Sequence, residues 1–160
     1  MPRKTTTTTL KMGVKLINEH ATLPNKGSVE AACYDIKMPE DVYIPPHTTK
    51  MVGTGLVFDI PQGYRVDVYL RSSIAAKTTV RLANAVGKID SDYRGEVKLL
   101  LENTGGLPAR FYRGDRVCQF ELNKVTDVDL MLTDEVRATE RGEGGFGSTD
   151  DANDNKKESV

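Results

Sequence analysis

Ten consecutive residues, Gly87-Lys88-Ile89-Asp90-Ser91-Asp92-Tyr93-Arg94-Gly95-Glu96, put two aspartates, a tyrosine and an arginine between two glycines. Glycine permits backbone angles and close approaches that a Cβ forbids. This density of functional groups suits a hairpin that holds a ligand better than a plain connection. Asp90 and Asp92 fit three chemistries: an acid pair for a metal, a general base beside a structural acid, or Asx residues closing a turn. Val97-Lys98-Leu99-Leu100-Leu101 follows as a strand-like run.

Four other segments carry reactive or ligand-binding side chains. Arg71-Ser72-Ser73 delivers a guanidinium and two hydroxyls where a strand gives way to a short helix, a combination that suits an oxyanion such as phosphate. The same serines also suit a helix N-cap. Gly114-Asp115-Arg116-Val117-Cys118-Gln119 opens a strand, and it reads equally as a turn with an Asp-Arg surface pair. Ala31-Ala32-Cys33-Tyr34-Asp35 leads small residues to an acid, which also fits close strand packing with Asp35 in a turn or on the surface. Arg141-Gly142-Glu143-Gly144-Gly145-Phe146-Gly147-Ser148-Thr149 contains Gly-x-Gly-x-x-Gly from Gly142 to Gly147. A dinucleotide fingerprint needs a strand before it and a helix after it, whereas only a polar stretch follows Gly147. No lysine precedes Ser148 and Thr149 to make a Walker loop. What remains is a glycine-rich arm with an arginine, an aromatic ring and two hydroxyls, able to stack on a ring and grip phosphates, or else a plain glycine-rich tail.

The elements that must position these groups are strands. Tyr64, Val66, Val68 and Leu70 alternate with Arg65, Asp67, Tyr69 and Arg71, the period of a half-buried strand. Val117 to Leu122 alternates in the same way, and Thr48 to Ile60 reads as one long strand broken at Gly53 and Gly55. Pro45-Pro46, Pro61-Gln62-Gly63, Gly105-Gly106 and Arg113-Gly114-Asp115 punctuate the runs. Helix-forming character is confined to Ser73–Lys77. The expected class is all-β, a distorted jelly roll or β-barrel with one short helix. Residues 1-140 are expected to form the body, with residues 1-10 loose; 141-149 a flexible arm, and 150-160 a disordered tail.

Composition narrows the function. At 160 residues the chain can bury a real core, and 38% apolar with 28% charged residues fits a globular protein. A net charge of −1 favours no nucleic-acid or membrane partner, and no apolar run approaches the roughly 18 residues of a membrane span. The amino end has no apolar signal stretch, so a cytoplasmic location is expected, a host's cytoplasm if the source is a virus or phage. Two cysteines, Cys33 and Cys118, and two histidines, His20 and His47, are too few and scattered for a zinc cluster. The chemistry must rest on carboxylates, hydroxyls, arginines and backbone.

In order, the five segments resemble the five signature motifs of the trimeric dUTP pyrophosphatases (dUTPases), over about Ala31 to Thr149. The resemblance implies a β-rich subunit, a homotrimer with active sites at subunit interfaces, and hydrolysis of dUTP to dUMP and pyrophosphate. It implies Mg2+ held through the triphosphate, with no direct protein ligand. Asp90 would be the base that activates water and would hold the sugar 3′-hydroxyl; Tyr93 would pack under the deoxyribose and exclude a 2′-hydroxyl. The backbone around Asn84, Gly87 and Ile89 would read the uracil edge. Arg71, Ser72, Ser73 and Gln119 would hold phosphates, with Asp35 as structural or metal-water support. Arg141, Gly147, Ser148 and Thr149 would clasp the outer phosphates while Phe146 stacks on the base.

Two motifs depart from that pattern. Cys33 stands where the first motif usually has glycine, and Leu70-Arg71-Ser72-Ser73 replaces the usual Pro-Arg-Ser-Gly. The Arg-Ser-Ser form is typical of the related dCTP deaminases. Deamination of dCTP, alone or combined with dUTP hydrolysis, is therefore the rival activity. A regulatory protein that binds nucleotide on the same fold is the alternative outside enzymes, and a structural β-sandwich the third.

Overall fold

In a computed structural model, residues 9–145 are described; Phe146, Gly147, Ser148 and Thr149 lie outside them. The chain divides between Thr126 and Asp127 into two compact units.

The first unit is all-β, with twelve strands and one short helix among the described residues. Its main sheet has five strands in the order β2 (Asn25–Lys26), β3 (Tyr34–Lys37), β12 (Arg116–Lys124), β7 (Tyr64–Leu70) and β9 (Gly87–Ile89), and every pairing is antiparallel. A three-stranded sheet pairs β5 (Thr48–Gly53), β10 (Lys98–Asn103) and β8 (Val80–Leu82). Two-stranded ladders join β1 (Gly13–Leu16) to β6 (Leu56–Asp59), and β11 (Ala109–Phe111) to β4 (Val42–Ile44). The expected all-β class with one helix holds; α1 runs Ser72–Lys77, one residue earlier than helix propensity suggests.

The core follows from the alternation. Val66 and Val68 of β7, Phe120 of β12 and Ile36 of β3 face inward together with Phe58, Leu99 and Leu101. Each such side chain contributes about 1.5–3 kcal/mol by leaving water. The single strand expected over Thr48–Ile60 is instead two. It breaks at Thr54-Gly55, where Gly55 takes φ +69°, and its halves join different sheets, β5 with β10 and β6 with β1. Buried Thr54 holds the break, its hydroxyl donating to the Val97 carbonyl at 2.7 Å. Both cysteines are free thiols; burial pushes that of Cys118 up to about 12.

The opposite face of the main sheet is polar. Arg65, Asp67 and Tyr69 of β7 share it with Glu121 and Asn123 of β12 and Lys88 of β9. Asp67 is nevertheless 2% exposed, because its neighbours roof it over.

In the second unit, residues 127–139 form no strand or helix, and Val128, Leu130, Met131, Leu132 and Val136 are exposed. A turn at its far end places the Arg141 Nε–H on the Gly144 carbonyl at 2.7 Å, with Gly142 at φ +52°. No helix among the described residues is long and apolar enough to cross a membrane.

Candidate active site

The hairpin begins with strain. Ala85 has φ +59°, and the Val86 N–H donates to the Asn84 carbonyl at 2.6 Å, closing a three-residue turn. For a residue with a Cβ the left-handed region costs roughly 1–2 kcal/mol. This turn drops the chain into β9, where Gly87 passes close to Val68 and the Asn84 side-chain amide. A Cβ on Gly87 would lie 3.4 Å from the former and 3.6 Å from the latter. Asn84, Gly87 and Ile89 are thus grouped along one short stretch of backbone.

After β9 the chain turns at Asp90–Tyr93, closed by the Tyr93 N–H on the Asp90 carbonyl at 3.2 Å. Both side chains are exposed and flank a depression of about 410 Å3, lined also by Met51, Lys88, Ile89, Glu96, Lys98 and Leu100. The Tyr93 hydroxyl donates to the Glu96 carbonyl at 3.0 Å. Its ring lies across Gly95, where any Cβ would overlap it, which explains the glycine. Glu96 reaches the other way, accepting the Gly55 N–H at 2.8 Å, so the hairpin is pinned to the break between β5 and β6. Arg94 folds back onto the Ser91 carbonyl at 2.7 Å and lies 3.4 Å from Asp59; it serves the hairpin's own shape.

At the far end of β7 a second cluster forms. Asp35, buried in β3 and so neither a turn nor a surface residue, takes Arg71 Nε at 2.9 Å on one oxygen and Arg116 Nη1 at 3.1 Å on the other. The Arg71 N–H donates to the Val117 carbonyl at 3.0 Å and its Nη1 to the Arg116 carbonyl at 3.3 Å. Gln119 stands opposite Asp35 on one side and Tyr69 on the other. The helix starts at Ser72 with Arg71 in the cap position, and no side chain caps it. The serines are thus not used as an N-cap. Two guanidiniums, two hydroxyls and an amide are groups that suit an anion, and Asp35 holds the guanidiniums in place.

The sequence did not single out Arg116 by itself. Its partner lies across the β3–β12 register, which spacing along the chain does not reveal.

Ile89 is in register with Val66, five residues before Arg71 and about 17 Å from it at an antiparallel rise, whereas Gly87 is in register with Val68, three residues before Arg71 and about 10 Å from it. Arg141 belongs to the second unit.

Among the described residues, no three His, Cys, Asp or Glu side chains converge to cage a metal. The donors present suit a Mg2+ that arrives on phosphates, since that ion commonly keeps its waters and binds through substrate oxygens with one or two carboxylates.

Comparison with known proteins gives the family. The family model described as dUTPase matches residues 19–150. The deoxyuridine 5′-triphosphate nucleotidohydrolase of Nautilia profundicola is 40% identical over 140 residues, covering 88% of this chain and 99% of its own. That of Zymomonas mobilis is 41% identical over 142 residues, covering 88% and 97%. Among solved structures, the dUTPase of Staphylococcus bacteriophage 80alpha with dUpNHpp superposes with a TM-score of 0.81 at 26% identity, covering 88% of this chain and 98% of that one. A family match over most of the chain, relatives that run nearly end to end and a shared all-β fold lead to one conclusion: this chain belongs to the dUTPase family.

Proposed function

We propose that the protein is a dUTP diphosphatase, hydrolysing dUTP to dUMP and pyrophosphate. The observation that carries the reading is the hairpin, which sets Asp90 and Tyr93 on the rim of one depression and strings Asn84, Gly87 and Ile89 along the backbone leading to it. Relatives about 40% identical over nearly their full length bear the matching name.

In this reading Asp90 accepts the proton of a water that attacks the α-phosphate, and it also holds the sugar 3′-hydroxyl. Tyr93 is fixed at both ends of its side chain and fills the space a 2′-hydroxyl would need. Backbone groups from Asn84 to Ile89 read the base edge; a polar mismatch rejects cytosine and a steric clash rejects the thymine methyl. Arg71, Ser72, Ser73 and Gln119 take phosphate oxygens, with Asp35 and Arg116 keeping the group together. When bound with the nucleotide, Mg2+ neutralises triphosphate charge. Arg141, Gly147, Ser148 and Thr149 close on the outer phosphates and Phe146 stacks on the base, so that residues 141-149 act as a lid.

The turn carrying Asp90 lies beyond Ile89, whose register partner is about 17 Å from Arg71, and this spacing suits a homotrimer in which one copy's phosphate group serves another copy's hairpin. Cytoplasmic nucleotide pools, a host's if the source is a phage or virus, are the proposed setting.

Incubating the purified chain and Mg2+ with dUTP, dCTP, dTTP and UTP, while following pyrophosphate and ammonia, tests the reading. Pyrophosphate from dUTP alone is expected. Ammonia from dCTP would overturn it in favour of a deaminase.

A further inference from the structure

β9 carries the proposed base-reading backbone, yet it is a short edge strand of the main sheet. It is three residues long, stands at the sheet edge and pairs only with β7, through Val66↔Ile89, Asp67↔Lys88 and Val68↔Gly87. It is entered through the strained turn at Ala85, which favours relaxation away from this geometry. Something must hold it.

The middle pair of the register is ionic. Lys88 Nζ donates to Asp67 Oδ1 at 3.1 Å. Asp67 is itself immobilised from two other directions. Arg65 Nε and Nη2 grip both its oxygens at 3.0–3.3 Å, and Asn123 Nδ2 donates to Oδ2 at 2.9 Å. Asn123 is fixed in turn by Glu121 Oε1 at 3.0 Å, which also accepts the Tyr69 hydroxyl at 2.8 Å. A short, exposed edge strand is therefore tied through one lysine to a buried carboxylate anchored on β7 and β12. Asp90 is two residues beyond that lysine.

We propose that Asp67 and Lys88 are positioning residues for substrate selection, clamping β9 so that the backbone from Asn84 to Asp90 meets the base in one geometry. The inference rests on the reading of this hairpin as the base-binding element. Asp67 does not line the depression; Lys88 borders it and is tied to Asp67. Lys88 places the strand, and Asp67 places Lys88. The dependence is directional: Arg71 and Arg116 are held by Asp35 and not by Asp67 or Lys88, so loosening the clamp leaves them in place and the loss falls on base recognition.

The test uses Lys88→Met, which keeps the aliphatic stem at a half-exposed position and so preserves the fold, with Lys88→Arg, Asp67→Asn and the double variant Asp67→Asn/Lys88→Met. Steady-state kinetics of the full chain with dUTP and dCTP are expected to show KM for dUTP raised about tenfold in Lys88→Met, kcat within about threefold, and a reduced preference for dUTP over dCTP. Lys88→Arg should restore wild-type values, and the double variant should be no worse than the poorer single one, as for two residues acting as a unit. Unchanged KM and preference in Lys88→Met, or additive losses, would overturn the proposal. Amide exchange over Gly87–Ile89, measured without nucleotide, separates its failure from that of the dUTPase reading. Exchange at least tenfold faster in Lys88→Met supports the clamp whatever the substrate, and unchanged exchange refutes it.

Discussion

Replacing Asp35 by asparagine keeps the side chain's shape and removes its charge. In the native arrangement that carboxylate sits 7% exposed between Arg71, a quarter exposed, and Arg116, nearly half exposed. Neutralising one member of a fully buried pair costs about 3–5 kcal/mol. Here both arginines keep part of their hydration, which puts the loss at roughly 2–3 kcal/mol. For a body of this size, about 3–5 °C of Tm accompanies each kcal/mol, so thermal unfolding at fixed protein concentration should fall by roughly 6–15 °C. Arg71 would also lose the partner that aims it. Forfeiting one charge-assisted contact to a phosphate is worth about 1.5–3 kcal/mol, or roughly 10- to 150-fold in kcat/KM, carried mainly by KM. Differential scanning fluorimetry and dUTP titrations measure the two effects separately. Unchanged Tm and KM together would refute the claim that Asp35 organises the two arginines. A fall in Tm with KM untouched would refute the aiming role and leave Asp35 as a purely structural acid.

Asp90→Asn should lower kcat by about 10²- to 10⁴-fold while nucleotide still binds by calorimetry; retained turnover would remove Asp90 as the base. Gly95→Ala must displace the Tyr93 ring from its seat, so UTP hydrolysis should rise relative to dUTP, and an unaltered ratio in a competition assay would count against Tyr93 as the sugar gate. Burial pushes the Asp67 carboxyl up, but hydrogen bonds from Arg65, Lys88 and Asn123 outweigh it and hold it below the usual range; Asn123 and Tyr69 do the same for Glu121. Both groups therefore stabilise the fold above about pH 4 and lose that contribution as pH falls through their depressed values, so Asp67→Asn should show a shallower acid loss of Tm. Removing residues from Arg141 onward should cut dUTP turnover sharply with Tm unchanged, and an unaffected rate would exclude the arm from the reaction.

What the sequence made legible was local. The alternation from Tyr64 to Leu70 is a statement about one strand, and β7 has the expected inward Val66 and Val68. The turns at Pro61-Gln62-Gly63 and Arg113-Gly114-Asp115 fall between strands for the same local reason. Pairings that join distant segments left no such mark. The partner of Arg116 is 81 residues away in β3, and nothing at either position indicates the register that brings them together. Asp67 reads in sequence as the exposed half of a strand. It is buried because Lys88 and Asn123 arrive from other strands, a consequence of sheet order. The break at Thr54-Gly55 was visible as two glycines, but its destination, a change of sheet, depends on which edges β1 and β10 leave open.

The arrangement along β7 also bears on why one strand carries so much. Its inward residues build the core, its outward Asp67 anchors the hairpin strand, and its last residue leads directly into Arg71. β7 thereby fixes the spacing between the two elements, about 17 Å to Arg71 from the partner of Ile89 and about 10 Å from the partner of Gly87. Because a sheet in a packed core deforms little, that distance is not adjustable within one subunit. In the proposed homotrimer a nucleotide seated on one copy's hairpin meets arginines from another copy, whose β7 sets the same spacing in the opposite role. In that reading a dissociated subunit keeps both half-sites folded and active chemistry absent. Loss of turnover on dilution should therefore precede any loss of structure, and mixing an Asp90→Asn chain with an Arg71→Ala chain should restore activity that neither has alone. If mixed chains stay inactive while hetero-assembly is demonstrated, the two half-sites do not come from different copies.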